Sequence, residues 1–241
     1  MKQAIFPILL IFTLVGLASA EQVCTESEYK GRTIKKCRDT GAPGGGSSTD
    51  SFTDPRDGQT YKTVKIGDQI WMAENLNYKT DDSYCYDDEP ANCRKYGRLY
   101  TWDAAMYACT SGWHLPSKAE FETLLERTGE FVEEEEGVEV YSSGRSLKST
   151  SGWNKSGNGT DVYGFSALPA GYRYDNGDFD YAGYYALFWS ATEIDSDGAY
   201  SMYLYYDYVG ASLGYSLDGA YLGYFSKYSA RAVRCLRDSR L

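Results

Sequence analysis

The chain has 241 residues, enough for one domain of ordinary size plus appendages. Hydrophobic residues make up 42% and the mean hydropathy is −0.50, values of a soluble globular protein rather than a disordered or membrane-embedded one. Asp and Glu outnumber Lys and Arg by 34 to 24, for a net charge of −10, which excludes a binder that tracks nucleic-acid phosphates. One His, at position 114, excludes a His-rich metal site and leaves a single imidazole for any nucleophile–His chemistry. Tyr is the unusual entry in the composition: 24 residues against nine Phe.

Lys2 followed by the uncharged stretch 4–17 and the small-x-small string Ala18-Ser19-Ala20 reads as a secretory signal peptide over 1–20, cut before Glu21. A membrane anchor is the competing reading, but the run is short for a span of about 20 residues and contains Pro7. No later stretch approaches that length, so no membrane span is expected in the mature chain. It is expected to be exported, to the periplasm, the cell surface or beyond.

All six cysteines follow the cleavage site, and an even count in an exported chain reads as three disulfides. Cys24 and Cys37 flank a segment of their own, and Cys85 and Cys93 bracket a turn-rich string. Cys109 is then left to pair with Cys235. Zinc is the rival reading for these residues, but no CxxC is present.

Residues 21–40 form a small Cys-paired segment, residues 41–51 a Gly/Ser-rich linker, and residues 52–238 the main domain. In the main domain, Asp57-Gly58 and Gly67-Asp68 are turn signals around Tyr61, Val64, Ile66 and Ile70, which reads as a hairpin. Residues 99–109 fit a helix capped by Thr101, with Trp102, Ala105, Met106 and a buried Cys109 on one face. Ser117-Lys118-Ala119-Glu120 is a capping box opening a second helix, with Phe121, Leu124 and Leu125 as its apolar stripe and Gly129 as its end. The acid run 133–136 reads as a solvated loop.

From residue 168 on, strand-like pieces alternate with Gly, Asp and Asn turns, around 188–190, 200–208, 221–225 and 232–236. Fourteen of the 24 Tyr fall in 172–228, and alternation puts Met202, Leu204 and Tyr206 on one strand face, Tyr203 and Tyr205 on the other. Two helices early and antiparallel strands late make the class α+β, stapled by disulfides.

The strings Asp57-Gly58-Gln59-Thr60-Tyr61, Trp71-Met72-Ala73-Glu74-Asn75-Leu76-Asn77, Tyr96-Gly97-Arg98-Leu99-Tyr100, Gly112-Trp113-His114-Leu115-Pro116-Ser117, Gly164-Phe165-Ser166-Ala167-Leu168-Pro169-Ala170-Gly171-Tyr172-Arg173 and Val233-Arg234-Cys235 together resemble the Fibrobacter succinogenes major paralogous domain family. That resemblance implies a bacterial exported protein with a C-type-lectin-like fold, related to the branch containing formylglycine-generating enzymes. It also implies a disulfide from an early helix to the last strand, which Cys109 and Cys235 match. A fold of this kind hosts binders and enzymes alike.

His114 reads as a half-buried side chain bonded to backbone rather than a catalyst. Formylglycine-type chemistry needs a reactive Cys pair, and here every Cys has a structural partner. No carboxylate pair is placed distinctively enough for a glycosidase. Calcium signatures of lectins are absent, and the turn 175–180 misses EF-hand spacing, so no metal or other cofactor is expected. Asn154-Lys155-Ser156 and Asn158-Gly159-Thr160 match glycosylation sequons but read as ordinary turns. The remaining lead is the Tyr-rich segment: Tyr172, Tyr174, Tyr181, Tyr184 and Tyr185 as stacking surfaces, with Arg173, Asp175, Asn176 and Asp178 as hydrogen-bonding groups. The equally weighted alternative is that these Tyr pack a sheet poor in Leu and Ile. The expected function is non-catalytic binding of a surface polysaccharide or cell-wall glycan. A self-associating surface protein and a cryptic enzyme of the formylglycine-generating type are the alternatives.

Overall fold

The computed structural model describes residues 22–29, 32–39, 50–206 and 219–238. The chain divides into two compact units, Met1–Gly44 and Gly45–Leu241. In the first, β1 (Gln22–Tyr29) pairs antiparallel with β2 (Arg32–Asp39), in a register that sets Cys24 opposite Cys37. The bridge expected between those two cysteines, the leader over 1–20 and the linker up to residue 49 lie outside the described residues and side chains.

The second unit runs β3 (Asp50–Thr53), β4 (Thr60–Ile66), β5 (Gln69–Met72), β6 (Ser83–Tyr84), α1 (Pro90–Tyr96), β7 (Leu99–Tyr100), α2 (Trp102–Met106), β8 (Trp113–His114), α3 (Lys118–Thr128), β9 (Phe131–Glu135) and β10 (Val138–Tyr141). It continues through α4 (Gly144–Leu147), β11 (Tyr172–Arg173), β12 (Phe179–Asp180), β13 (Tyr185–Glu193), β14 (Gly198–Tyr205), β15 (Ala220–Ser226), β16 (Arg231–Ala232) and β17 (Leu236–Arg237). The unit is mostly sheet with four short helices. One sheet has the order β6-β7-β16-β13-β14-β15-β10-β9, and a second has β3-β4-β5-β17-β8. Strand pairs are antiparallel apart from β13 with β16, where Phe188 lies beside Ala232. β11 and β12 form a small hairpin of their own.

Local chemistry fixes several elements. Ser117 Oγ accepts from the Glu120 N–H while the Glu120 carboxylate accepts from the Ser117 N–H, completing the capping box of α3. Phe121, Leu124 and Leu125 are fully buried beneath it. The β3-β4-β5 meander forms on the expected turns. Alternation along β14 buries Met202 and Leu204 in the main core and turns Tyr203 and Tyr205 to the opposite face.

Other elements differ from the sequence reading, each for a nonlocal reason. The helix expected over 99–109 is confined to Trp102–Met106, because Leu99 and Tyr100 pair with Ala232 and Arg231 as a strand. Met106 is consequently 38% exposed and Cys109 only half-buried. Most of the acid run is strand rather than loop: Glu133, Glu134 and Glu135 pair across a hairpin with β10, and Glu136 lies in its turn. Pro90 at the first turn starts a helix inside the Cys85–Cys93 loop. The strand expected over 232–236 is split into β16 and β17, which belong to different sheets.

Two disulfides are formed in this unit, Cys85–Cys93 and Cys109–Cys235, and among the described residues no cysteine is free. Arg234, wholly buried, sits between the two sheets. Its Nε donates to Asn75 Oδ1 at 2.6 Å, its Nη1 to the carbonyls of Met72 and Phe165, and its Nη2 to the Ser166 carbonyl at 2.8 Å. Among the described residues, no helix is long and apolar enough to cross a membrane.

The Cys109–Cys235 bridge spans 126 residues, so its removal frees nearly the whole domain in the unfolded state. The double substitution Cys109→Ala, Cys235→Ala is expected to lower stability by about 4–5 kcal/mol in the chain-entropy account, read as a lower urea midpoint. The same pair exchange at Cys85 and Cys93 should have a smaller effect, since the loop closed there is eight residues.

Candidate functional site

The larger sheet has one face on the main core and a second face built of Tyr. On that second face Leu187, Tyr203 and Tyr221 are buried, and Tyr172, Tyr185, Tyr205 and Phe225 pack around them partly exposed. Folded beside it, the β11–β12 hairpin and the turn after it bound a cavity of about 350 Å³. That volume lies at the small end of the range for small-molecule sites, roughly 300–1,000 Å³.

The lining is a continuous belt of rings. Tyr172 stacks on Tyr181 at 5.6 Å between centroids, and Tyr181 meets Tyr185 edge-on at 4.6 Å. Tyr185 meets Tyr205 at 4.6 Å, Tyr205 meets Tyr203 at 5.3 Å, and Tyr203 meets Phe225 at 5.3 Å. Arg231 closes the belt, with its guanidinium carbon 3.8 Å from the Phe225 centroid and 5.7 Å from that of Tyr172. Tyr174 stands outside the circle against Tyr172, whose hydroxyl donates to the Tyr174 hydroxyl at 2.8 Å. Burial pushes the phenols of Tyr172 and Tyr205 upward, so both remain neutral hydroxyl groups.

Two backbone features hold the rim. Tyr181 has φ of 66°, a left-handed conformation costly for a bulky residue. Gly171, at φ 65°, lets the chain pass close beneath it: a Cβ there would lie 2.4 Å from the Asp180 carbonyl oxygen.

Of the residues singled out in the sequence, Tyr172, Tyr174, Asp175, Tyr181 and Tyr185 line the cavity. The other four do not. Asn176 and Asp178 bond to each other and to their own turn: Asn176 Nδ2 donates to Asp178 Oδ2 at 2.8 Å, and Asn176 Oδ1 accepts from the Asp178 N–H. Arg173 lies over the Tyr84 ring at 4.1 Å, and Tyr184 packs on Tyr206 at 4.9 Å. Tyr203 and Tyr205 were legible as one strand face, but not as the wall opposite the hairpin. Ser226, Ser229 and Arg231 carry no local signal, because β15 and β16 reach the cavity only through sheet pairing.

Arg231 is 3% exposed, and among the described residues its buried Nη1 has no hydrogen-bond partner. Its Nε donates to Ser229 Oγ at 3.3 Å. Among the described residues it forms no ion pair, and burial lowers its pKa to about 9. The contrast with Arg234 is direct: three residues apart, both guanidiniums are buried, and only Arg234 has its donors met by carbonyl and amide oxygens.

His114 is not bonded to backbone as the sequence reading has it. Its Nε2 is 2.9 Å from Glu120 Oε1 and its Nδ1 is 2.6 Å from Asp238 Oδ1. The bond to Glu120, against the opposing effect of burial and with help from Asp238, raises the imidazole to about 9, so it is an imidazolium at neutral pH. Burial pushes Glu120 up, but its bonds to His114 and Ser117 outweigh this and hold it at about 2. This cluster lies away from the Tyr-lined cavity's lining residues. Among the described residues, no three His, Cys, Asp or Glu side chains converge as metal ligands.

Comparison with known proteins finds one family. The model of the Fibrobacter succinogenes major domain matches residues 64–237, well over half the chain, and the chain belongs to that family. No curated protein and no solved structure matches it.

The His114 cluster sets a pH dependence. A raised folded-state pKa means that the imidazolium stabilises the fold fully below its usual 6.5 and loses that contribution as pH rises through about 9. His114 is 37% exposed, so solvent screening limits the effect to about 1 kcal/mol. The melting temperature should fall by about 2–4 °C between pH 6.5 and 9.5 in the native chain. In His114→Gln that decline should be absent, as checked by thermal unfolding across the series.

Proposed function

We propose that this member of the Fibrobacter succinogenes major domain family is an exported, non-catalytic binding protein that takes a glycan into the Tyr-lined cavity. The observation that carries the reading is the belt of aromatic rings, closed by Arg231, around a space of about 350 Å³. Flat rings edged by hydroxyls offer stacking surface to the apolar faces of a sugar and hydrogen bonds to its rim, at little entropic cost in side-chain ordering. The hydroxyls of Tyr172 and Tyr205 stay protonated, as a neutral ligand surface requires.

We read the fold as C-type-lectin-like. Support comes from the disulfide at Cys109, just after the short helix α2, to Cys235 beside β17. Export is supported by the disulfides, which form in oxidising compartments, and by the leader-like first twenty residues. A non-catalytic role is supported by two features of the described residues. Every cysteine is bonded, which leaves no thiolate for formylglycine-type chemistry, and the single imidazole is held between two carboxylates.

The test is a glycan array followed by titration of the best hits. A stacking ring contributes about 0.5–1.5 kcal/mol, so Tyr174→Ala should weaken binding several-fold with the melting temperature nearly unchanged. Tyr184→Ala, on a ring outside the cavity, should leave affinity as it is. Absence of any glycan hit, or equal affinity of the Tyr174→Ala and native chains, would sink the reading. Association that rises with protein concentration in the absence of glycan would favour a self-assembling surface protein instead.

A further inference from the structure

We infer that the cavity is selective for a carboxylate-bearing sugar, a uronic acid, whose carboxylate pairs with the guanidinium of Arg231. The inference rests on the glycan-binding reading and names the ligand class within it.

Arg231 lines the cavity at 3% exposure, and its buried Nη1 has no partner among the described residues. A buried cation with an unmet donor is costly, and native structures seldom retain one unless something else supplies the missing acceptor. Arg234 shows that this fold can give every nitrogen of a buried guanidinium an oxygen acceptor. At Arg231 it provides the Ser229 hydroxyl and then only ring faces, Phe225 at 3.8 Å, Trp189 at 4.6 Å and Tyr172 at 5.7 Å. These rings hold the guanidinium in place from the side while leaving its edge without an acceptor. The groups that act on its charge are the phenols of Tyr172, Tyr203 and Tyr205, all lining the same cavity, and no carboxylate is among them.

A planar guanidinium edge is matched in geometry by a carboxylate, which accepts two parallel N–H bonds. The rings then take the sugar face. An aromatic belt alone would equally suit a quaternary ammonium ligand. A cation already seated in the belt repels a second one, so the belt's charge sign favours an anion. Asp175 lines the cavity as well, with one carboxylate oxygen accepting from the Asn176 N–H at 2.8 Å.

Titration calorimetry on the native chain with trigalacturonic acid, its fully methyl-esterified form and cellotriose separates the possibilities. The acid should bind at least about tenfold more tightly than the ester and the neutral trisaccharide, since a charge-assisted pair is lost on esterification. Arg231→Met should abolish that difference. Its melting temperature without ligand should be unchanged or higher, because an unpaired buried charge is replaced by an apolar chain. If the variant does not fold, the acid-to-ester ratio on the native chain decides alone. Equal affinity for acid and ester overturns the inference and leaves the glycan reading intact. Binding of none of the three, together with an empty glycan array, overturns both. A tripeptide with a free carboxylate that binds where trigalacturonic acid does not would reassign the site to an acidic peptide and overturn the sugar class.

Discussion

The guanidinium of Arg234 is the fixed point of the main unit. It is buried and, among the described residues, forms no ion pair, so its charge depends on its donors being met. The acceptors come from two separate stretches: Met72 at the end of β5 with Asn75 just after it, and the Phe165–Ser166 turn. Asn75 is itself fixed by donating to the Tyr96 carbonyl at the end of α1. The backbone on either side repeats the connection, since the Met72 N–H donates to Cys235 and the Leu76 N–H to Val233. One side chain thus gathers the meander, the first helix and the long loop before β11 onto the stretch 231–237, and Cys235 ties the same stretch covalently to Cys109.

That stretch is also what joins the two sheets. β16 enters the larger sheet between β7 and β13, and four residues later β17 enters the smaller one between β5 and β8. The crossing sets the environments of its two arginines apart. Arg234 falls between the sheets, where carbonyls from irregular chain can turn toward it. Arg231 falls in the sheet between β7 and β13, whose backbone groups are engaged in strand pairing, so what faces its guanidinium is mostly the rings of Trp189 and Phe225. The polar demand of Arg231 and the aromatic lining of the cavity are two results of one placement.

What was legible in the sequence is what is decided within a few residues. The capping box at Ser117, the turns at Asp57-Gly58 and Gly67-Asp68, and the alternation that separates Met202 and Leu204 from Tyr203 and Tyr205 all rest on near neighbours. The family strings were legible for the same reason. Leu99 has helical spacing relative to Trp102 and Met106, yet it and Tyr100 are strand because Ala232 and Arg231, more than a hundred residues on, supply backbone partners. The candidate site divides along this line. The hairpin tyrosines could be picked out by composition, whereas Asn176 and Asp178 look like ligand groups until one sees that a tight turn consumes their polar atoms. Arg231 has no sequence signature, since its isolation is a property of the strands around it.

The position of β16 inside the larger sheet has a bearing on how the chain assembles. β7 and β13 flank it and are synthesised earlier, yet they cannot close on each other, for the strand that belongs between them comes near the end of the described chain. The smaller sheet waits on β17 in the same way. Neither sheet is complete until residues 231–237 have emerged from the ribosome, and the 126-residue span between Cys109 and Cys235 has to be brought together before oxidation can lock it. A polypeptide with this ordering can close its local hairpins, β4 with β5 and β13 with β14, as they emerge, but the seam that joins its two sheets is left to the last strands to arrive.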